Sequence, residues 1–329
     1  MVDHDVLNGL IATLLAGPLA PQVTLDAPLG ARTTYGVGGT ASVLVALDTP
    51  DDVVALVKAL HGTGVSTIPV GRGSNLLVAD SGFAGVAVVM RGAFSDIVID
   101  GTTIIAGGAA KLPVVARAAV NAGLRGFTWA VGVPGSIGGA IRMNAGGHGA
   151  EMADVVASAD IVDLGNVDLG NVDLGNVDLE NAGERTWSVD ELDFGYRRSA
   201  LRSSQLVLRT ALELEPGDVS EGKAEMAEIV QWRRSNQPGG QNAGSVFTNP
   251  PGESAGRLID TAGLKGFRIG SAEVSPKHAN FIQADPGGSA DDVLALMKEI
   301  MRRVDDMHGV QLHAETHVVG FEEGTWQPQ

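Results

Sequence analysis

The stretch Gly132-Val133-Pro134-Gly135-Ser136-Ile137-Gly138-Gly139-Ala140 is the most informative part of this chain, and Met143-Asn144-Ala145-Gly146-Gly147 follows it closely. Glycine has no Cβ atom, so this backbone can bring its N–H groups close to a large, flat ligand. A flexible linker is the structural alternative, but glycine- and serine-rich linkers rarely alternate with valine, proline, isoleucine and methionine. We therefore interpret residues 132–147 as a ligand-contacting segment.

A second glycine-rich loop, Gly71-Arg72-Gly73-Ser74-Asn75, joins two apolar segments that have the character of strands. Its glycines allow positive φ angles, and consecutive N–H groups in such a loop can form a nest for an anion such as a diphosphate. The loop lacks the Gly-Lys-Ser/Thr end of a P-loop, and it is not a Gly-x-Gly-x-x-Gly motif that opens a helix. A plain tight turn is the open alternative.

The composition excludes several classes of protein. The chain has 39 acidic and 23 basic residues and a formal net charge of −16, the opposite of the basic surface that a general nucleic-acid binder needs. It has no cysteine, which excludes disulfides and thiolate metal sites. Its seven histidines show no His-Glu-x-x-His spacing, so we expect no metal site.

The apolar segments of the chain are short. None approaches the roughly 18 residues of a membrane-spanning helix. The N-terminal apolar stretch is preceded by acidic residues, whereas a secretory signal begins with basic ones. We therefore expect a cytoplasmic protein without a membrane span.

Much of the acidity lies between residues 151 and 193, where twelve acidic residues and one arginine give a local net charge of −11. Within this segment the pentapeptide Gly-Asn-Val-Asp-Leu occurs three times in residues 165–179. A period of five fits neither a strand nor a helix, so we interpret the repeat as a solvated surface loop. The open alternative is a partner-binding or cation-binding element formed by Asp163, Asp168, Asp173 and Asp178.

Hydrophobic periodicity and end signals predict the secondary structure. Helices are predicted at about 4–16, 51–60, 113–120, 221–235, 254–262 and 289–307. Strands are predicted at 67–70, 76–78, 86–90, 97–99, 103–106, 206–208, 211–215, 272–275, 279–283 and 316–321. The elements after Pro216 indicate a compact α+β domain.

Three further positions have side chains suited to catalysis. Arg197 lies in Phe194-Gly195-Tyr196-Arg197-Arg198-Ser199, and a guanidinium suits a carboxylate or a developing enolate. Ser245 follows a glycine in the segment 242–251, and Glu315 precedes the last predicted strand. Each also has a structural alternative: a surface arginine, a structural serine and a solvated carboxylate.

The order of these motifs resembles the UDP-N-acetylenolpyruvoylglucosamine reductase family of flavoenzymes, in its shorter subtype. The resemblance runs from about Thr33 to Phe321, and it adds Thr34-Tyr35-Gly36-Val37-Gly38-Gly39 to the motifs above. It implies an α+β fold, with a two-lobed FAD-binding domain of the vanillyl-alcohol oxidase (PCMH) type followed by an α+β substrate-binding domain. The expected limits are an N-terminal segment at 1–32, an FAD-binding domain at 33–215 with the acidic repeat loop at 163–180, and a C-terminal domain at 216–329.

The resemblance also implies a role for each motif. Arg197 would hold the substrate carboxylate, Ser245 would donate the proton, and Glu315 would assist it. Tyr196 and Asn249 would contact the substrate. The FAD would be bound by Gly71, Arg72, Gly73, Ser74, Asn75, Val133, Pro134, Gly135, Ser136, Gly138, Gly139 and Arg233.

The activity implied is the NADPH-dependent reduction of UDP-N-acetylglucosamine enolpyruvate to UDP-N-acetylmuramate, a peptidoglycan precursor, with hydride passing through FAD to the vinyl carbon. We expect a monomer that binds a UDP-sugar and NADPH. Two residues depart from the family pattern, Asn236 in place of a lysine and His148 in place of a tyrosine. The alternatives are an FAD oxidase or dehydrogenase of another small alcohol or sugar, and a non-catalytic nucleotide-binding scaffold.

Overall fold

The computed structural model describes residues 4–165, 178–179 and 182–322. Most of the pentapeptide repeat, including Asp168 and Asp173, lies outside these residues. The chain forms two compact units: the first unit comprises residues 1–26, 43–71 and 84–231, and the second unit comprises residues 27–42, 72–83 and 232–329. Two segments from the N-terminal part of the chain thus pack with its C-terminal part. The domain limits expected from the sequence stay a prediction.

The described helices comprise six that agree closely with those predicted from periodicity and two short ones that were not predicted. They are α1 (His4–Ala16), α2 (Pro50–Leu60), α3 (Leu112–Asn121), α4 (Ile137–Arg142), α5 (Val189–Leu192), α6 (Val219–Asn236), α7 (Ala255–Thr261) and α8 (Ala290–His308). Among the described helices, none combines the length and apolarity that a membrane span requires.

The strands are short, as expected for a chain rich in glycine. In the N-terminal half they are β1 (Val23–Ala27), β2 (Ala41–Leu47), β3 (Thr67–Pro69), β4 (Leu76–Val78), β5 (Phe83–Met90), β6 (Ile97–Asp100), β7 (Thr103–Gly107), β8 (Leu124–Arg125), β9 (Gly146–Gly147), β10 (Ala150–Glu151) and β11 (Val156–Asp163). In the C-terminal half they are β12 (Arg185–Ser188), β13 (Gln205–Glu213), β14 (Glu215–Pro216), β15 (Arg268–Ile269), β16 (Ala272–Val274), β17 (Ile282–Ala284) and β18 (His317–Val319).

The first unit is built on two main sheets. One has the order β1-β2-β5-β3, with β3 and β5 parallel, and the other is antiparallel with the order β12-β11-β13-β7-β6. Each sheet has its own apolar core. The core of the first sheet includes buried leucines and valines of α1 and α2, whereas that of the second includes buried residues of α3 and α4.

Helix α2 shows how local sequence fixes one of these elements. Thr49 caps the helix by accepting the N–H of Asp52, while the Asp52 carboxylate accepts the Thr49 N–H in return. Pro50 occupies the first turn, where its missing N–H costs nothing. The apolar face predicted from the sequence, Val53 to Leu60, is the face that is buried.

The second unit contains the antiparallel sheet β15-β16-β17 and the parallel pair of β4 and β18. Helix α8 begins at Ser289, whose hydroxyl accepts the N–H of Asp292, and it ends at Gly309 in a left-handed conformation. The Asp80 carboxylate accepts the backbone N–H of Ala290 at 2.9 Å, so β4 and its following turn are tied to the start of α8. A single core joins α7, α8 and these strands.

Three details differ from the sequence expectations. The glycine-dense segment contains α4, a short helix that the density of glycines concealed. The runs 206–208 and 211–213 belong to one strand, β13, whereas Glu215 belongs to the separate short strand β14. The run 279–283 forms a strand only from Ile282 onward.

Candidate active site

The glycine-dense segment is anchored in the first unit by its own backbone. The N–H groups of Ile137 and Gly138 donate to the carbonyls of Ala110 and Gly108, at 2.9 and 2.8 Å. Ser136, just before α4, is buried, and its side chain does not cap the helix. A Cβ atom at Gly71 would lie 2.5 Å from the Ser136 Oγ, so a larger residue at position 71 would require the Ser136 side chain to move. The structure therefore brings Gly71 of the loop 71–75 against the glycine-dense segment.

The rest of the loop 71–75, from Arg72 to Asn75, belongs to the second unit. Gly73 has a φ of 62°, and a Cβ atom there would lie 2.6 Å from the Cα of Thr33. Within the described parts of the chain, the backbone N–H groups of Arg72, Gly73 and Ser74 donate no hydrogen bond. Such a row of N–H groups with no acceptor suits an anion. This donor set, and the glycines that let a ligand approach, fit the FAD predicted from the sequence.

Arg197 lies in the first unit on a closed turn. Gly195 and Arg198 exchange backbone hydrogen bonds of 3.0 and 3.1 Å, and Arg197 itself has a φ of 57°. A non-glycine residue in the left-handed region stores strain and is often functional. The closed turn holds Arg197 in this strained conformation and so fixes where its side chain leaves the backbone.

The Arg197 guanidinium is held by carbonyl groups and an aromatic ring. It donates to the carbonyls of Asn144 and Gly146, at 3.3 and 3.1 Å, and it lies 5.0 Å from the centre of the Tyr196 ring. The Glu151 carboxylate lies 3.9 Å away, and only 18% of the Arg197 side chain is exposed. The predicted pair Tyr196 and Arg197 is thus one assembled group.

Asn144 organises this group, although sequence reasoning gave it no role. Its amide donates to the Glu151 carboxylate at 2.9 Å and to the Gly195 carbonyl at 3.1 Å. Its oxygen accepts the N–H of Ala153 at 2.9 Å, and the residue is fully buried with a φ of 39°. The one available signal was an asparagine between methionine and Ala-Gly-Gly, because asparagine tolerates positive φ.

Arg142 supports the turn from its other side. It donates to the carbonyls of Leu201, Arg202 and Gln205, and its own carbonyl accepts the Ser199 hydroxyl at 2.9 Å. Burial lowers the pKa of Arg142 to about 10, because desolvation disfavours the charged form of the guanidinium. The segment that follows Arg197 is therefore attached to the end of α4.

In the second unit the structure places Ser245 and Glu315 on neighbouring segments. The Glu315 N–H donates to the carbonyl of Val246 at 2.8 Å, and Phe247 forms an isolated antiparallel bridge with Ala314. The Asn75 amide donates to the Glu315 carbonyl at 2.9 Å. Three positions singled out from the sequence, 75, 245 and 315, are thus linked within this unit.

The remaining predicted residues are also in the second unit. Asn249 is exposed, and its side-chain oxygen accepts the N–H of Ala255 at 3.1 Å. Arg233 is half-buried, burial lowers its pKa, and its guanidinium makes no hydrogen bond to any described residue. Asn236 donates to the Trp232 carbonyl at 2.8 Å, and the Lys277 ammonium donates to the Arg234 carbonyl at 2.6 Å.

Among the described residues, no three His, Asp or Glu side chains converge in a way that could hold a metal ion.

Comparison with known proteins gives matches along nearly the whole chain. Residues 41–167 match the family described as FAD binding domain, and residues 235–319 match the C-terminal domain of UDP-N-acetylenolpyruvoylglucosamine reductase. The reductase of Heliobacterium modesticaldum is 41% identical over 296 residues, covering 89% of each chain. That of Paramagnetospirillum magneticum is 40% identical over 302 residues, covering 91% of this chain and 92% of the other.

A solved structure shows the same architecture. The crystal structure of the Thermus caldophilus UDP-N-acetylenolpyruvylglucosamine reductase matches with a TM-score of 0.73 and 34% identity, covering 90% of this chain and 98% of that one. The fold and the glycine-lined site define an FAD-dependent flavoprotein oxidoreductase. Within that class, the chain belongs to the UDP-N-acetylenolpyruvoylglucosamine reductase family.

Enzymes of this family are UDP-N-acetylmuramate dehydrogenases that use FAD and NADPH in peptidoglycan-precursor synthesis. The fold class, the enzyme class and the cofactors predicted from the sequence are thereby confirmed. The match over nearly the full length of the relatives favours this activity over the two alternatives kept open from the sequence. The roles of individual residues stay predictions.

Proposed function

We propose that Arg197, Ser245 and Glu315 of this enzyme carry out the reduction of the enolpyruvyl ether of UDP-N-acetylglucosamine enolpyruvate. Bound FAD supplies the redox chemistry, because it can accept hydride from NADPH and deliver it to the vinyl carbon of the substrate. The residues of the chain bind, orient and protonate.

The FAD would be held by the two glycine-rich loops. Gly71 to Asn75 would bind its diphosphate through backbone N–H groups, and Val133, Pro134, Gly135, Ser136, Gly138 and Gly139 would line the flavin. Two observations support this role: a Cβ atom at position 73 would overlap the backbone of Arg32 and Thr33, and the N–H groups of 72–74 lack acceptors in the described chain. Arg233 would face the pyrimidine edge of the flavin with a guanidinium that makes no hydrogen bond to any described residue.

Arg197 would bind the substrate carboxylate and stabilise the enolate. When hydride adds to the vinyl carbon, the electron pair of the double bond moves toward the carboxylate, where negative charge accumulates. A fixed guanidinium is suited to that charge, and one well-aimed donor is worth about 10²–10³ in rate. The two carbonyls and the Tyr196 ring support this role, because they hold the guanidinium in one plane before substrate binds.

Ser245 would then protonate the carbon next to the carboxylate. The electron pair of the enolate forms the new C–H bond, the Oγ–H bond of Ser245 breaks, and the alkoxide regains a proton from water. Glu315 would assist by orienting the hydroxyl. The main support for this proposal is the hydrogen bond of 2.8 Å between the Glu315 N–H and the Val246 carbonyl. Because Ser245 directly precedes Val246, this bond keeps Ser245 and Glu315 on adjacent segments.

Tyr196 and Asn249 would contact the substrate, and Asn249 would reach its diphosphate. Asn236 stands where the family has a lysine, and Arg234 would supply the positive charge that is missing there. The carbonyl of Arg234 accepts a hydrogen bond from the ammonium of Lys277. The enzyme would act as a monomer in the cytoplasm, consistent with described helices that cannot cross a membrane.

Anaerobic stopped-flow measurements on Ser245→Ala test the proposal. We expect flavin reduction by NADPH to continue at nearly the natural rate. Oxidation of the reduced flavin by the enolpyruvyl substrate should slow about 10²–10⁴-fold, the usual worth of a positioned proton donor. Ser220→Ala, an exposed serine on α6, serves as the matched control. An equal loss in both half-reactions of a folded Ser245→Ala protein would show that the role is misassigned.

A further inference from the structure

The segment that follows Ser245 is paired along both of its edges, and on one of these edges its partners are main-chain groups of residues 313–315. On that edge the Thr248 N–H donates to the His313 carbonyl at 2.9 Å, and the Val246 carbonyl accepts the Glu315 N–H at 2.8 Å. The N–H and carbonyl of Phe247 alternate with these groups and therefore point the other way. They belong to a residue that is only 1% exposed, so both need partners inside the protein.

Both partners come from one side chain, that of Asn280. The Phe247 N–H donates to the Asn280 side-chain oxygen at 3.0 Å, and the Asn280 amide donates to the Phe247 carbonyl at 2.8 Å. The Asn280 carbonyl also accepts the Val246 N–H at 2.9 Å. A carboxamide has the same donor and acceptor as a peptide group, so Asn280 takes the place of a neighbouring strand.

The position of Asn280 is itself fixed by a tight turn. Its N–H donates to the Nδ1 of His278 at 3.3 Å, and the Phe281 N–H donates to the His278 carbonyl at 3.0 Å. The His278 and Phe281 rings pack edge to face, with 4.8 Å between their centres. This turn explains why the apolar run 279–283 begins its strand only at Ile282: residue 280 is used for its side chain.

Upstream of Ser245 the backbone has a different character. Gly244 has a φ of 77°, and among the described residues its N–H donates only to the side-chain oxygen of Asn242, at 3.0 Å. A glycine in this region is the conformationally freest point of the segment. The direction of the Ser245 side chain is therefore set mainly by the peptide groups that follow it, which Asn280 holds.

We propose that Asn280 is a positioning residue for the proton transfer, acting through Val246 and Phe247 on the hydroxyl of Ser245. The inference rests on the proposed role of Ser245 as proton donor. It predicts that a change at residue 280 damages protonation selectively, since the residue has no role in accepting electrons from NADPH.

Asn280→Asp is the sharpest variant, because it keeps the shape of the side chain and removes the donor to the Phe247 carbonyl. We expect oxidation of the reduced flavin by the enolpyruvyl substrate to slow about 10- to 100-fold, the usual effect of a displacement near 1 Å. Flavin reduction by NADPH should stay within about twofold, and the solvent deuterium isotope effect on the second half-reaction should increase. Asn8→Asp, an exposed asparagine on α1, controls for the added charge.

A readout independent of turnover is hydrogen exchange at the Phe247 amide in Asn280→Leu, which removes both the acceptor of the Phe247 N–H and the donor to its carbonyl. Exchange at this amide should accelerate by more than about tenfold. The double variant of Asn280→Asp with Ser245→Ala should be no slower than Ser245→Ala alone, because the effect passes through Ser245. If Asn280→Asp does not fold, Asn280→Gln, which keeps the amide but lengthens the side chain, is measured in the same way.

Three outcomes would overturn the inference: faster exchange at Phe247 with an unchanged second half-reaction, an equal loss in both half-reactions, or further slowing in the double variant. Natural behaviour of a folded Asn280→Gln protein would also overturn it. A normal second half-reaction in Ser245→Ala would instead refute the proposed function. Slowing in Ser245→Ala without slowing in the Asn280 variants would refute only the role of Asn280.

Discussion

The regions around Arg197 and Ser245 hold their reactive side chains by different means. In the first unit, side chains of Arg197, Asn144 and Arg142 reach out to backbone carbonyls. In the second unit, backbone groups around Ser245 pair with the backbone of Glu315, and Asn280 continues the pattern with a side chain that imitates a peptide.

The difference follows from what each side chain must do. A guanidinium has donors in a fixed plane, so carbonyl acceptors can fix its orientation directly. A serine hydroxyl is short and rotates freely, so its position depends on the backbone that carries it. Around Arg197, we therefore expect the largest losses of activity from substitutions of the side chains that hold the guanidinium. Around Ser245, we expect them from changes that break the hydrogen bonds of the backbone.

Replacing Arg197 by lysine changes the reactive side chain of the first region itself, so we expect this substitution to have the largest effect on the rate of the reaction. Lysine keeps the charge but loses the planar donor set that two carbonyls orient. The second half-reaction should slow about 10²–10³-fold while flavin reduction by NADPH persists. Stopped-flow with Arg198→Lys, an exposed neighbour paired with Asp193, provides the control. Full activity in Arg197→Lys would mean that charge alone suffices there.

Asn144→Ala tests the same region through stability. The substitution removes the amide bonds to Glu151 and Gly195 and leaves the Ala153 N–H without its acceptor. We expect the free energy of unfolding to fall by about 1–3 kcal/mol, measured by urea denaturation. Asn121→Ala, at the exposed end of α3, should change it by less than about 0.5 kcal/mol. Equal losses in both variants would show that the buried amide contributes nothing beyond its packing.

Local signals predicted the elements that they fully determine. The capping box of Thr49 and Asp52 and the apolar face of α2 are encoded within a dozen residues, and so are Ser289 and Gly309 at the ends of α8. Helix α4 was missed because glycines lower helix propensity, whereas the anchors of its first turn, Gly108 and Ala110, come from another segment.

The reactive residues were assigned by motif resemblance, but their supports were not. Asn144 acts on residues 7 to 51 positions away, and Asn280 acts on a residue 33 positions away. Such contacts have no local periodicity, so sequence patterns do not reveal them. Asn280 did leave one signal, a polar residue inside the apolar run Ala279 to Ile282, and its burial explains the interruption.

Tyr35→Phe should have the smallest effect of these substitutions, and it tests the second unit through the free energy of unfolding. Among the described residues of the second unit, the Tyr35 hydroxyl is one of three buried side-chain oxygens without a hydrogen-bond partner, together with Gln241 Oε1 and Thr316 Oγ1. Burial raises the pKa of this phenol well above its usual value, because the charged form would be desolvated. Removing an unpaired buried hydroxyl should leave the free energy of unfolding unchanged or raise it by up to about 1 kcal/mol.

Urea denaturation of Tyr35→Phe beside the unmodified enzyme measures this directly, since the ring and its packing are retained. A loss above about 1 kcal/mol would mean that the hydroxyl is hydrogen-bonded in solution. Backbone pairing would then not account for the polar groups of this region, and the distinction between the two regions would weaken. A neutral or stabilising result would instead show that the buried Tyr35 hydroxyl needs no hydrogen-bond partner, so that main-chain pairing remains the support of the region around Ser245.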